Sequence, residues 1–221
     1  MQPLISVIIP YYKGEKYITE TLASVFNQGY NNLEVIIVND GSPIETLEIL
    51  QPFSDRVTII HQENQGQATA RNTGIRAATG ELITFLDQDD LWTDNRIATM
   101  LPYLTDSDEY GFVRGTVDHF RILPDGSRES TGPKVWEVLP GVSLYRKSVV
   151  DQVGMFNESM HEGEDFDWNI RLHESGAKGI QIPDLVLLYR RHDTNHSNSI
   201  DFVKNGEFAS IRNKLNRMRN Q

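Results

Sequence analysis

The stretch ELITFLDQDDLW, Glu81 to Trp92, runs a short apolar segment directly into three carboxylates within four positions: Asp87, Asp89 and Asp90. Like charges this close repel, so the cluster needs solvent, protonation or a cation. Taken alone it reads as a solvated turn, because Asp is a good turn former. What precedes it changes the reading. LISVII (4–9), LEVIIV (33–38), VTII (57–60) and ELITFL (81–86) are short β-rich runs separated by segments long enough for crossover helices. Continuous apolar strands alternating with helices are the signature of a buried parallel sheet.

In the first crossover, Ile18, Leu22, Val25 and Phe26 recur at helical spacing. QATARNTGIRAA, Gln67 to Ala78, is helix-like, with Gly80 expected as its C-cap. Ligands of an open parallel sheet sit at the carboxyl ends of its strands. VIIV runs into NDGS and LITFL into DQDD, so two acidic groups are expected on one edge. Beyond Trp92 the pattern loosens to a helix at 94–104, a strand from Gly111 to Arg121 and a polar loop at 123–133. Helical patterns return at 146–153 and 164–175. No repeat or linker is evident, so one domain over 1–221 is expected: a first half to about 105, a second over 106–200 and a C-terminal helix over 201–221.

Composition bounds the chemistry. The 221 residues are 38% hydrophobic, enough for a real core. The absence of cysteine excludes disulfides, thiolate catalysis and cysteine-bound metals. Twenty-one Lys and Arg against 31 Asp and Glu give a net charge of −10, which argues against nucleic acid as a partner. An acidic protein that binds an anionic ligand needs a cation between them. No stretch approaches the ~20 apolar residues of a membrane span, and MQPLISVIIPYY lacks the basic start of a signal peptide. A cytoplasmic location, or one at the inner face of the membrane, is the expectation.

Spacing removes the familiar alternatives. A calcium loop of the EF-hand type starting at Asp87 needs Gly at its sixth position and Glu at its twelfth, where this chain has Trp92 and Ala98. Neither GxGxxG nor GxxxxGK[ST] occurs. Two Asp flanking one residue remain as hard oxygen ligands for Mg²⁺ or Mn²⁺ with positions open to phosphate.

The ordered series SVIIPYYKGEKYITETLASV, EVIIVNDGS, NQGQATARNTGIRAATGELITFLDQDD, GEDFDWNIRL and YRRHDTNHSNS resembles the family 2 nucleotide-sugar glycosyltransferases of the GT-A fold, over roughly Ser6 to Ser199. Two departures stand out: Lys13 where the family often has Asn, and Gln88 inside the DxDD. The resemblance implies an α/β fold whose mostly parallel central sheet is flanked by helices, with a Rossmann-like N-terminal nucleotide-binding half. It implies a nucleoside diphosphate sugar donor, most readily UDP-linked, and a saccharide, lipid-linked or protein acceptor. Asp40 would contact the nucleobase, with Pro10, Tyr11 and Tyr12 as the wall beside it and Glu15 nearby. Arg71 would steady the diphosphate or sugar, or else pair with a carboxylate. Asp89, Asp87 and His192 would hold Mn²⁺ or Mg²⁺. Asp165 would be the general base, with Glu164 and Trp168 on the acceptor side or in support.

Other readings of the chain are a sugar-nucleotide nucleotidyltransferase and a non-catalytic sugar-nucleotide-binding module. His192 and His196 would also fit an i,i+4 metal pair, although the surrounding Asp, Asn and Ser argue for loop. The segment from Asp118 to Val138 is expected to shape the acceptor site. At the C-terminus, Phe208, Ile211, Leu215 and Met218 recur at helical spacing beside Arg212, Lys214, Arg217 and Arg219. Packing against the domain is the first reading of that stripe, and contact with an anionic membrane the second.

Overall fold

The apolar runs before the acidic turns form the first half of the sheet. The computed structural model describes residues 2–193, 195 and 200–219. His196, half of the i,i+4 pair considered above, lies outside them. Strands β1 (Ile5–Tyr11), β2 (Leu33–Asp40), β3 (Val57–Gln62) and β4 (Leu82–Phe85) are parallel and lie in the order β3-β2-β1-β4. Helix α1 (Ile18–Phe26), a 3₁₀ helix (Ile44–Phe53) and α2 (Gln67–Ala77) connect them. Alternate residues of β1 serve different cores, as the two-residue period of a strand requires. Ile5, Val7 and Ile9 pack with Ile18, Leu22 and Val25 of α1, while Ile8 packs with Ala70 and Ile75 of α2.

Gly74 lets α2 approach β1 closely, since a Cβ there would lie 2.3 Å from Ile8 Cγ2. Gly80 is not the C-cap that the pattern suggested. The helix ends at Ala77, Ala78 turns the chain into extended backbone, and Gly80 instead makes room for β1: a Cβ would meet Ser6 Oγ at 2.6 Å and Leu4 O at 2.8 Å.

The second half continues the same sheet through β8 (Ser143–Arg146), β6 (Phe112–Ile122), β9 (Gly179–Arg190) and β5 (Leu91–Trp92), with β7 (Arg128–Ser130) paired to β6. Because β8 is antiparallel to both β4 and β6, and β9 is parallel to β6, strands β6 and β9 run in the direction of β4. Their carboxyl ends reach the same edge as those of β1, β2 and β4. The helix expected over 94–104 is split into α3 (Arg96–Met100) and α4 (Pro102–Thr105), because Pro102 has no N–H to continue the ladder. The loop expected at 123–133 is a hairpin: Phe120, Arg121 and Ile122 pair with Ser130, Glu129 and Arg128, and Gly126 takes φ 84° at the turn.

Helix α5 (Lys147–Val153) precedes α6 (Glu164–Glu174). Trp168 fixes α6 to the sheet. Its indole stacks on Phe156 at 5.2 Å, meets Tyr145 edge-on at 5.2 Å and donates Nε1–H to Gly154 O at 2.9 Å. Truncating such a buried aromatic costs about 3–5 kcal/mol.

Helix α7 (Ile200–Arg219) lies against α6, but not through its apolar stripe. Its contact face is small and polar: Gly206 touches Gly163, Ser210 Oγ donates to Gly163 O at 2.9 Å, and Arg217 reaches Asp167 at 3.0 Å. Phe208, Ile211, Leu215 and Met218 are exposed, which corrects the packing reading. The glycine pair permits a close approach that larger side chains would prevent. No helix among the described residues is long and apolar enough to cross a membrane.

Candidate active site

The NDGS turn after β2 is closed by Asn39, whose Oδ1 accepts the Ser42 N–H at 2.9 Å and whose amide donates to Ser42 O at 3.0 Å. Gly41 sits at φ 85°, where a Cβ would also lie 2.8 Å from Asn64 N. Asp40 is buried. It accepts from Gln62 Nε2 at 2.8 Å and from the Gln65 and Gly66 backbone N–H groups at 2.9 Å each. A carboxylate offers about four acceptor positions, so three are used in holding the turn before α2. A hollow of about 630 Å³ opens beside it, lined by Asn39, Ser42, Pro43, His61, Gln62 and Asn64, and no residue of DQDD lines it.

Of the three residues expected as a wall beside the base, only Tyr12 is open, at 41% exposure. Pro10 and Tyr11 are buried, because β1 is a central strand covered on both faces and still pairs with β2 at residue 11. Glu15 is half-buried in the turn before α1. Lys13 stands at φ 52°, a left-handed conformation in which Asn is tolerated better than Lys. Its backbone N–H is held by Ser42 Oγ at 2.8 Å.

At the end of β4, Asp87 Oδ1 accepts from Gln67 Nε2 at 2.8 Å and from Arg71 Nη2 at 3.0 Å. Asp89 Oδ2 lies 2.8 Å from His192 Nε2, and the imidazole stacks on Tyr17 with ring centres 4.8 Å apart. Asp90 is buried and accepts the Arg190 N–H at 2.9 Å. Burial, then the neighbouring Asp89 and Asp87, push its carboxyl well above the usual range.

The Asp89–His192 pair fits a divalent ion. The two side chains are hydrogen-bonded at 2.8 Å, and a carboxylate oxygen and an imidazole nitrogen are both donor types that such an ion takes. Among the described residues no group of three His, Asp or Glu donors converges. Such a sparse set suits Mg²⁺ or Mn²⁺ held by one or two carboxylates together with phosphate oxygens and water.

Arg71 links this edge to α6. It is 3% exposed, and it donates Nη2–H to Asp87 and Nη1–H to Glu164 Oε1 at 2.8 Å. Of the two roles considered for it, the carboxylate pairing is the one present here. Burial raises the Glu164 carboxyl against the lowering effect of Arg71. Asp165, next along, is raised by burial too, with Arg71 opposing, and its Oδ1 accepts the Phe166 N–H at 2.8 Å. Asp167 faces away, gripped by Arg171 Nε at 2.9 Å and Arg217 Nη1 at 3.0 Å. Trp168, expected on the acceptor side or in support, lies in the core and braces α6 against the sheet.

Residues 6–156 match the model of glycosyl transferase family 2. The chain belongs to this family. It is 32% identical to the glycosyltransferase GlyG of Streptococcus pneumoniae serotype 4 over 221 residues, covering 86% of this chain and 72% of GlyG. It is 29% identical to the uncharacterized glycosyltransferase EpsJ of Bacillus subtilis over 218 residues, covering 87% of this chain and 62% of EpsJ. The family 2 chain thus spans roughly two thirds of these relatives' length.

Among solved structures, Staphylococcus aureus TarS (residues 1–349) in complex with UDP-GlcNAc matches with TM-score 0.74 and 20% identity, over 89% of this chain and 61% of that one. The mannosyltransferase PcManGT of Pyrobaculum calidifontis, in complex with GDP-Man and Mn²⁺, matches with TM-score 0.68 and 20% identity, over 89% and 60%. These likenesses show the GT-A fold.

Three features of this glycosyltransferase chain went unread in its sequence. Gln88 clamps two loops: its Oε1 accepts the Tyr12 N–H at 2.9 Å and its Nε2 donates to Tyr12 O at 3.0 Å. A side chain at position 14 would strike that amide, since a Cβ there lies 2.2 Å from Gln88 Oε1. Tyr17 supplies the stack under His192. Arg190 ties Asp89 O, at 2.7 Å, to Glu20 on α1, at 2.5 Å. None of the three has a spacing signal, because each acts across at least 70 residues of sequence.

Proposed function

We propose that this chain is an inverting glycosyltransferase that moves a sugar from a UDP-linked donor to an acceptor hydroxyl, residues 1–221 acting as one GT-A unit. The observation that carries this reading is the Arg71 bridge, which joins Asp87 on the donor edge to Glu164 beside Asp165. One buried guanidinium spans the two carboxylate sets that the reaction needs on opposite sides of the sugar. By count Asp40 keeps a fourth acceptor position, which would take the N3–H of uracil, and the exposed ring of Tyr12 would serve as the wall of the base pocket. TarS and PcManGT were solved with UDP-GlcNAc and GDP-Man, which supports the ligand class.

Asp89 and His192, with Asp87 alongside, would hold Mn²⁺ or Mg²⁺. When bound, the ion supplies charge neutralisation and Lewis acidity at the leaving diphosphate. Asp165 takes the acceptor hydroxyl proton as the oxygen attacks the anomeric carbon. The bond from that carbon to the diphosphate oxygen breaks in the same displacement, and the configuration inverts. A raised carboxyl suits this role, because a base works best with a proton affinity nearer the operating pH. Glu164 stays paired with Arg71 and orients the turn.

The test is transfer or hydrolysis of radiolabelled UDP-sugars with and without Mn²⁺, alongside calorimetry of UDP binding. Metal-dependent binding and sugar release, with binding weakened in Asp89→Ala, are expected. Binding with no release in any donor and acceptor combination would leave a sugar-nucleotide-binding module. Pyrophosphate released from a nucleoside triphosphate and a sugar phosphate would mark a nucleotidyltransferase.

A further inference from the structure

Helix α7 packs through one face and leaves the opposite face to solvent. At 3.6 residues per turn, Gly206, Ser210, Asn213 and Arg217 line the side against α6. Phe208, Ile211, Leu215 and Met218 form a stripe on the far side, at 70%, 50%, 50% and 62% exposure. Among the described residues these four are a large share of the exposed large hydrophobic side chains, and their spacing puts them on one helix face. Arg212 and Arg219 flank the stripe on one edge, Lys214 flanks it on the other, and Lys204 lies in line with it; all are exposed. Glu207 borders it near its N-terminal end. The helix carries five Lys and Arg against two Asp and Glu, in a chain whose net charge is −10.

We infer that this face docks on a bilayer surface bearing anionic headgroups, with the apolar stripe in the headgroup boundary and the basic flanks on the lipid charges. A mostly polar helix with one apolar stripe and basic edges is the form that lies in such an interface. Charge complementarity decides between occupants. A second copy would bring Arg212, Lys214 and Arg219 against cations of the same kind, whereas an anionic surface satisfies them. The acidic remainder of the chain is repelled by the same surface, so docking also orients the molecule. Gly206 touches Gly163, the residue before Glu164, so the docking helix is continuous with the carboxylates of α6. The inference stands on surface chemistry alone and does not depend on the proposed reaction.

The test is flotation of the full chain with vesicles of phosphatidylcholine alone and with vesicles that also contain phosphatidylglycerol, at low and high salt. Binding to the anionic vesicles at low salt, reduced at least about tenfold by salt or by omission of the anionic lipid, is expected. The double variants Ile211→Asp/Leu215→Asp and Arg212→Glu/Arg219→Glu should each lose binding by a similar factor with unchanged thermal melting, since all four positions are exposed. Wild-type chain left unbound on anionic vesicles at low salt would overturn the inference, as would wild-type-level binding by either double variant. A dimer in sedimentation velocity that Leu215→Asp dissolves, with no vesicle binding, would assign the face to a second copy.

Discussion

The donor edge and the start of α6 both carry clustered carboxylates, yet they treat them differently. On the donor edge three acids are tied down, Asp40 by three donors, Asp87 by Gln67 and Arg71, and Asp89 by His192, while Asp90 is sealed at 3% exposure with the Arg190 N–H and its carboxyl is raised. On α6, Asp167 is gripped by two arginines, whereas two positions earlier Asp165 is held by local backbone N–H groups, chiefly that of Phe166. Burial outweighs Arg71 there and raises the Asp165 carboxyl. A carboxylate with its acceptor positions filled by donors holds shape. Asp165, half-buried with few donors, keeps the raised proton affinity that a base needs and, unlike Asp90, an open side.

The sharpest way to break this contrast is Asp165→Asn. Turnover should fall by ~10²–10⁴, the range for loss of general acid–base catalysis, with UDP-sugar affinity in Mn²⁺ unchanged. The same substitution should raise the melting temperature at pH 7. A carboxyl whose folded pKa lies above its unfolded value favours the fold below the unfolded value, and that contribution is lost as pH rises through the folded value. The gain in Asp165→Asn should therefore vanish at acid pH in scanning calorimetry. The acid limb of the wild-type kcat profile should likewise sit above the ordinary Asp value of about 3.9. Lower stability together with lower turnover would make Asp165 a structural residue like its neighbour.

Asp167→Asn should show the reverse pattern. Removing one partner of buried ion pairs costs about 3–5 kcal/mol. Arg217 is partly exposed, so a loss of about 2–4 kcal/mol in denaturant unfolding is expected, with turnover per folded molecule nearly intact. Gln88→Ala tests the donor edge. Two hydrogen bonds of about 0.5–1.5 kcal/mol each hold Tyr12, so metal-dependent UDP affinity should weaken by roughly tenfold in calorimetry. An unchanged affinity would show that the clamp does not position the base-side loop. The smallest effect is Lys13→Asn, which should stabilise the fold by up to about 1 kcal/mol by relieving the left-handed backbone.

The N-terminal half was legible because parallel strands buried on both faces leave continuous apolar runs, and DQDD and NDGS mark where those strands stop. Strand β9 was not, because Pro183 interrupts it and sits where the β6 register shifts, between partners Arg114 and Thr116. The hairpin at 123–133 carried its own signal in Pro-Asp-Gly, a turn sequence read as plain loop. Asp89 and His192 are 103 residues apart, and no spacing rule predicts their approach; the family likeness supplied that pair. The orientation of α7 was unreadable for another reason. An apolar period shows that a helix has two faces, but the Gly206–Gly163 contact decided which one packs. Likewise, periodicity could not show that Tyr11 is interior while Tyr12 is open.

The central claim, a single displacement driven by Asp165 on the side of the sugar away from the diphosphate, is tested most directly by the configuration of the product. An α-linked UDP-sugar can be turned over in an NMR tube with Mn²⁺, with water or a saccharide as acceptor, and the anomeric proton read before mutarotation. The account predicts that the β-anomer appears first and that Asp165→Asn suppresses it. An α-anomer as first product would contradict it, because retention requires a second displacement for which this account provides no nucleophile.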